Sequence, residues 1–182
     1  PLIFAALGGL LSERSGVIQI ALEGLMLLGA FSAAAVATLA HSPWLGWWAG
    51  GLVGACFGWV FACATVKYRA NQIVAGTAMN LLAAGVTPLI CKVMFGSTGN
   101  TPPLSSIERF SIEPLWMAWI ALFFVTVWFR KTTSGLWVQF AGEHPEALEA
   151  AGVSVSKVRM VAVTMSGFFA GLGGASLSLF LA

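Results

Sequence analysis

Long apolar runs separated by short polar stretches make up the chain. Six such runs cover residues 1–11, 17–39, 44–66, 73–95, 114–129 and 158–182. Three of them contain 23 residues each. At about 1.5 Å per residue, a helix of that length reaches roughly 34 Å, enough to cross a bilayer with some tilt. The pattern predicts an all-α, polytopic transmembrane helical bundle of about five full spans plus a partial one.

The composition fits this picture and excludes an ordinary soluble domain. Hydrophobic residues account for 58% of the chain and charged residues for 9%, with no Asp, whereas soluble domains carry roughly a quarter charged residues. The net charge of +2 is too small to indicate nucleic acid as a partner. We expect residues 1–182 to form a single transmembrane domain in a lipid bilayer. Because the chain starts at a Pro and ends inside an apolar run, we expect that domain to be incomplete at both ends.

The cysteines and histidines form no recognisable site. Cys56 and Cys63 share one predicted helix, about 10.5 Å apart along its axis, too far to bridge. No CxxC occurs, and neither histidine has an acidic partner at ligand spacing. No metal or redox site is predicted.

The basic residues predict how the bundle is oriented. If successive helices alternate in direction, seven Lys or Arg fall on one side of the membrane and two on the other. The positive-inside rule then places the 130–157 loop in the cytoplasm and the Pro-rich 96–113 loop outside. The seven are Arg14, Lys67, Arg69, Arg130, Lys131, Lys157 and Arg159. Five tryptophans fall near the predicted outer ends, as an aromatic belt would: Trp44, Trp47, Trp48, Trp116 and Trp119.

Small residues recur at four-residue intervals on two of the predicted helices. A stripe of this kind lets the backbones of neighbouring helices approach closely. We therefore predict that helix packing depends on the two stripes, whose central members are Gly50, Gly54, Gly58, Gly167 and Gly171.

A few polar residues lie inside the apolar runs. Gln19 and Glu23 are four residues apart and are predicted to share a helix face, while Thr77 and Asn80 fall on a small-residue face of the fourth run. A charge at mid-membrane costs about 2.5 to 3.5 kcal/mol on insertion scales. These four residues are therefore predicted to form a polar seam along a substrate pathway inside the bundle.

The stretch SERSG at 12–16 extends this idea, because it would be the break of an interrupted helix of the kind that transporters place beside a solute path. A simpler interpretation remains open for the same residues. Glu23 and Asn80 would only join helices by hydrogen bonds, and Glu13 and Arg14 would lie in an ordinary cytoplasmic turn.

The 130–157 loop contains a distinct helix signal. Pro145 occupies a plausible first helical position and Gly152 a plausible stop, so residues 145–151 are predicted to form a short helix. Three glutamates, at 143, 146 and 149, recur every third residue. A short acidic helix held between two spans could dock a partner, although a solvated loop fits the pattern equally well.

Three stretches resemble one family of membrane proteins: SERSGVIQIALEGLMLLGAF at 12–31, YRANQIVAGTAMNLLAAGVT at 68–87 and AGEHPEALEAAGVSVSKVRMVAVTMSGFFAGLGGA at 141–175. They are similar to permease subunits of bacterial ATP-binding-cassette importers, in the superfamily that includes branched-chain amino acid and ribose permeases. The nearest branch carries nucleosides and simple sugars. The resemblance runs in order through nearly the whole chain, although such permeases have further helices.

The resemblance implies a transport subunit, not an enzyme, in the inner membrane of a bacterium. Its partners would be cytoplasmic ATP-binding subunits, a second permease subunit and an extracytoplasmic solute-binding lipoprotein. No Walker A lysine motif occurs here, so no cofactor is expected on this chain, and ATP and Mg²⁺ would belong to the partner ATPase.

The resemblance also implies roles for particular regions. Residues 16–24 and 71–80 would lie near the translocation path, and EAAG at 149–152 would be a degenerate form of the importer EAA loop. The predicted ATPase-coupling residues are Glu143, Pro145, Glu146, Ala147, Glu149, Ala150, Ala151 and Gly152.

An ion-coupled secondary transporter is the alternative function. It would need a titratable pair within the membrane, and only Glu23 qualifies. A membrane enzyme would need His, Cys or Ser groups converging at one depth, and none is visible. The sequence leaves open which solute is carried and whether the two permease subunits are identical.

Overall fold

A computed structural model describes residues 1–96 and 115–181 of the chain. Within these ranges the chain is helical, without a strand, which confirms the predicted all-α bundle. The helices are α1 Leu2–Arg14, α2 Leu22–Ala40, α3 Pro43–Ala62 with a π-helical turn at Cys63–Lys67, α4 Gln72–Phe95, α5 Leu115–Lys131, α6 Thr133–Glu143, α7 Pro145–Ala150 and α8 Val155–Leu181.

Four of these helical segments are long and apolar enough to cross a membrane. They are Leu22–Ala40, Pro43–Lys67, Gln72–Phe95 and Val155–Phe180. Helix α5 covers the fifth predicted run with 17 residues, and α1 covers the short first run. The predicted outer loop at 96–113 falls almost entirely outside the described residues.

Helix α8 forms the centre of the bundle. It packs against α1, α2 and α3, whereas α4 packs chiefly against α2. In the apolar window of α8, 61% of the residues are buried, against 11% for α4. Helix α4 is therefore a peripheral helix of the described bundle.

The two predicted glycine stripes face each other between α3 and α8. A Cβ placed on Gly58 would lie 3.0 Å from the Cα of Gly167, and one on Gly54 would lie 2.8 Å from the Cα of Gly171. A Cβ on Gly50 would lie 2.7 Å from that of Ala175. Even a methyl group at these positions would push the helices apart, so the close approach depends on glycine.

The predicted start of the second helix was wrong. The apolar run begins at Val17, but α1 continues to Arg14 and the non-helical break covers residues 15–21, not 12–16. The Ser12 hydroxyl donates to the Val17 carbonyl at 2.6 Å, and Gly16 has a φ of +82°, a conformation that favours glycine. Gln19 therefore lies in the break and does not share a helix face with Glu23.

Two further expectations change in the structure. Trp47 is not part of a lipid-facing belt, because it is only 6% exposed and its indole Nε1 donates to the Ser176 hydroxyl at 2.9 Å. The 130–157 segment is not a long loop with one short helix. It also contains helix α6, which packs on α1, α5 and α8.

Candidate translocation and coupling sites

Polar side chains of α4 bind the backbone of the break between α1 and α2. The Ile18 N–H donates to Oε1 of Gln72 at 2.8 Å. Asn80 donates from Nδ2 to the Ile20 carbonyl at 3.2 Å and accepts the Gly24 N–H on Oδ1 at 2.9 Å. A break between two helices leaves backbone groups without helical partners, and α4 supplies partners for the Ile18 N–H and the Ile20 carbonyl.

The four residues of the predicted polar seam do not come together in one site. Asn80 uses both the oxygen and the nitrogen of its amide to bind backbone at the start of α2. This favours the simpler interpretation, in which Asn80 joins two helices by hydrogen bonds. Thr77 is exposed and its hydroxyl donates within α4, to the carbonyls of Ile73 and Val74. Glu23 is exposed in the first turn of α2. Whether these residues contact a solute stays a prediction.

Gln19 differs from the other three. Its side chain is buried, at 6% exposure, and neither atom of its amide has a hydrogen-bond partner among the described residues. Such a group is costly in an apolar interior, so Gln19 is available to pair with a group that enters the break.

Arg159 connects the break to the 130–157 segment. Its Nε donates to the Ser15 carbonyl at 3.0 Å, and its Nη2 donates to the Ala141 carbonyl at 2.8 Å. One side chain of α8 thus binds the end of α1 and the end of α6. The sequence analysis counted Arg159 only toward the orientation, because the spacing of 144 residues between it and Ser15 leaves no local signal.

A backbone contact reinforces this junction. A Cβ on Gly16 would lie 3.1 Å from the Cα of Gly142, so the break and the last turn of α6 touch through two glycines. An ion pair between Arg14 and Glu143 lies alongside at 3.4 Å, with the two side chains 54% and 63% exposed. Exposed pairs of this kind contribute little to stability, so the glycine contact and Arg159 carry the connection.

The short helix predicted for 145–151 is present as α7, which ends at Ala150. Gly152 has a φ of +79° and turns the chain toward α8. Leu148 is buried with Ala141 and Val155 and anchors α7 to its neighbours. The predicted coupling residues Glu146, Ala147, Glu149, Ala150, Ala151 and Gly152 are exposed. Leu148 was not predicted, although it is the one large aliphatic side chain in PEALEA.

The comparison with known families decides what kind of protein this is. The family described as branched-chain amino acid transport system / permease component matches residues 1–182. The chain belongs to this family. Its family and its four long apolar helices show that the chain is part of a multi-pass membrane protein. In the described residues, no group of three or more His, Cys or acidic side chains could hold a metal ion.

Several relatives of the chain have names that state their solutes. It is 39% identical over 199 residues to the guanosine ABC transporter permease protein NupQ of Bacillus subtilis (strain 168), covering 96% of this chain and 62% of the relative. It is 34% identical to the nucleoside ABC transporter permease protein NupC of Lactococcus lactis subsp. cremoris, with coverage of 96% and 62%. It is 32% identical to the putative glucose ABC transporter permease protein TsgC13 of Haloferax volcanii, with coverage of 98% and 59%. The chain thus spans less than two thirds of the length of these relatives. No solved structure matches it significantly.

Proposed function

We propose that this chain is a membrane-spanning subunit of an ATP-binding-cassette importer that moves a nucleoside or a simple sugar across the inner membrane of the cell. The observation that carries the proposal is the identity of 39% and 34% with a guanosine and a nucleoside permease, each over 96% of the chain. The chain is also 32% identical to a putative glucose permease. This similarity supports sugars as the second solute class.

The partners follow from this role. Cytoplasmic ATP-binding subunits bind ATP and Mg²⁺ and hydrolyse the nucleotide, a second permease subunit completes the pathway, and an extracytoplasmic binding lipoprotein delivers the solute. The chain itself has no Walker A lysine motif, so ATP hydrolysis is assigned to the ATP-binding subunits. The exposed residues of α7, around the buried anchor Leu148, form the contact with the ATP-binding subunits.

Movement of α7 reaches the membrane through short, stiff connections. Leu148 ties α7 to the end of α6 and the start of α8. From there, the Gly16–Gly142 contact and Arg159 lead to the break at 15–21, and Asn80 links the break to α4. Closure of the ATP-binding subunits would therefore move the break and, through Asn80, displace α4 as well, a helix rearrangement of the kind that alternating access requires.

Uptake by a reconstituted complex tests the proposal. The complete permease, its ATP-binding subunits and its binding protein are placed in liposomes, and uptake of radiolabelled guanosine and of glucose is measured. We expect uptake of at least one of them that requires ATP. Control vesicles carry ATP-binding subunits whose Walker A lysine is replaced by alanine, and these should not accumulate solute.

Two results would contradict the proposal. Uptake without ATP that is driven by a proton or sodium gradient would identify an ion-coupled secondary transporter. Absence of ATP-dependent uptake of any nucleoside or sugar by an intact complex would remove the proposed solute class.

A further inference from the structure

Helices α2, α4 and α8 line a hollow of about 330 Å³ that is open on one side and was not predicted from the sequence. Phe31 of α2, Ala84, Thr87 and Pro88 of α4, and Ser178 of α8 are among the residues that line it. Small-molecule sites usually measure about 300 to 1,000 Å³ and combine apolar walls with a few polar groups. This hollow has both properties.

The hydroxyl of Thr87 is the first polar group of the hollow. Its oxygen is buried and has no hydrogen-bond partner among the described residues. Five other helical threonines among the described residues instead donate to the carbonyl four residues earlier. Those that do so are Thr38, Thr65, Thr77, Thr126 and Thr164. Thr87 thus lines the hollow with a hydroxyl that has no partner in the described residues, and rotation of its side chain would turn that hydroxyl toward a bound group.

Pro88 leaves a second polar group, the backbone carbonyl of Ala84, without its usual helical donor. It lies inside α4, and because proline has no N–H, it cannot donate to the carbonyl of Ala84, four residues earlier. Ala84 also lines the hollow. A hydroxyl that can donate or accept and a carbonyl that has lost its helical donor therefore lie within one turn of α4, between the exposed residues Ala84 and Pro88, and together they are the complement of a solute hydroxyl.

We propose that this hollow is a subsite on the translocation path that binds a sugar hydroxyl of the solute through Thr87 and the Ala84 carbonyl. The proposal rests on the proposed function, since it names the residues that contact a nucleoside or sugar. It places that contact on α4 about 10.5 Å beyond Asn80, whose amide is already bound to the backbone of the break.

Substitutions at Thr87 in the complete permease test the subsite. Thr87→Val keeps the shape and removes the hydroxyl, whereas Thr87→Ser keeps the hydroxyl. Thr126→Val is the matched control, because Thr126 is exposed and its hydroxyl already donates to the Leu122 carbonyl. Uptake of guanosine or glucose, whichever the wild type transports, is measured per assembled complex. We expect Thr87→Val to lower uptake about tenfold, with Thr87→Ser within about threefold of the wild type and Thr126→Val unchanged.

Deoxy analogues of the transported solute identify the hydroxyl. If Thr87 binds one sugar hydroxyl, the analogue that lacks it should be carried almost equally by the wild type and Thr87→Val, while the other analogues show the tenfold difference. The binding protein discriminates among the analogues in the same way with the wild type and with Thr87→Val. Its effect therefore cancels in the ratio of the two uptake rates for each analogue.

Several outcomes would overturn the subsite. They are unchanged uptake by Thr87→Val, an equal loss for the solute and every deoxy analogue, and a loss explained by less assembled complex. A higher melting temperature for Thr87→Val with normal uptake would show that apolar groups fill the hollow. A wild-type complex that carries neither guanosine nor glucose contradicts the proposed function, which separates that failure from a failure of the subsite.

Discussion

At the scale of single residues, the side chains that bind backbone across the bundle explain most of its organisation. Arg159 binds carbonyls near the ends of α1 and α6, where helices leave oxygens without helical donors. Asn80 binds a carbonyl and an N–H at the start of α2. In each case one polar side chain fixes backbone that belongs to another helix, so its loss leaves unpaired groups behind.

Replacement of Arg159 by methionine should weaken the junction at the end of α1. Each hydrogen bond from a charged donor contributes about 1.5 to 3 kcal/mol, so we expect Arg159→Met to lower the free energy of unfolding by about 3 kcal/mol. Lys157→Met is the matched control, because it removes the same charge from an exposed position one half-turn away. Thermal unfolding of the purified proteins measures both variants. An equal melting temperature for the two would contradict the role of Arg159.

Replacement of Asn80 by leucine distinguishes a joining role from a solute contact. The variant leaves the Ile20 carbonyl and the Gly24 N–H without their side-chain partner. We therefore expect a lower melting temperature and less assembled complex, with uptake per surviving complex close to that of the wild type. Melting temperature and uptake are measured on the same reconstituted samples. Slow uptake at unchanged stability would instead place Asn80 on the solute path.

At the scale of elements, the molecule has two kinds of helix contact. Helices α3 and α8 meet through backbone, along the facing stripes of Gly54, Gly58, Gly167 and Gly171. Helix α7 is instead held by one buried side chain, Leu148, and presents small and acidic residues outward. The first contact is rigid because nothing flexible separates the two backbones. The second leaves a surface open for a partner.

A pair of glycine-to-alanine variants tests the rigid contact. Gly167→Ala places a methyl group within 2.8 Å of the Cα of Gly58, whereas a Cβ on Gly85 meets nothing within 4 Å among the described residues. Alanine is intrinsically better than glycine in a helix by about 1 kcal/mol. We expect Gly167→Ala to lower the melting temperature and Gly85→Ala to leave it unchanged or raise it. Similar melting temperatures for the two variants would contradict backbone packing at the stripe.

A charge placed on α7 tests the proposed contact with the ATP-binding subunits. Ala147 is exposed on this helix, so Ala147→Arg should leave the permease inserted and folded while it blocks a closely fitted partner. Ser156→Arg, which adds the same charge at an exposed position in the first turn of α8, is the control. Co-purification with the ATP-binding subunits should fall at least tenfold for Ala147→Arg only. Normal co-purification of that variant would remove α7 from the interface.

At the scale of the whole molecule, the charged end of the bundle and its apolar middle support the orientation predicted from the basic residues. Arg14 pairs with Glu143, and Arg159 binds Ser15 and Ala141. The contacts thus bring residues that the sequence assigned to one side of the membrane to one end of the molecule. The opposite end carries Trp44 and Trp48, which are 49% and 51% exposed.

Cysteine labelling tests this orientation in intact cells. In a version without Cys56, Cys63 and Cys91, single cysteines are placed by Ser156→Cys and by Ser105→Cys. A membrane-impermeant thiol reagent should label the second from outside and label the first only after permeabilisation, because the positive-inside rule puts the basic end in the cytoplasm. Labelling of both positions in intact cells would contradict the orientation.

Features that depend on local interactions could be predicted from the sequence. The number and approximate extent of the apolar helices could be predicted because a helix in lipid must satisfy its backbone within its own segment. The short helix α7 could be predicted because Pro145 and Gly152 act on the adjacent residues. The glycine stripes were visible because helical spacing places every fourth residue on nearly one face.

The tertiary structure alone decided the features that need partners far away in the chain. The break lies at 15–21 instead of 12–16 partly because Asn80, about 60 residues later, binds its backbone. Trp47 is a core residue because Ser176 accepts its N–H, and Arg159 is a junction because two helix ends converge on it. Apolar periodicity shows which positions along a helix avoid water. It does not show which polar group of another helix will bind a given residue, because those partners come together only when the helices pack.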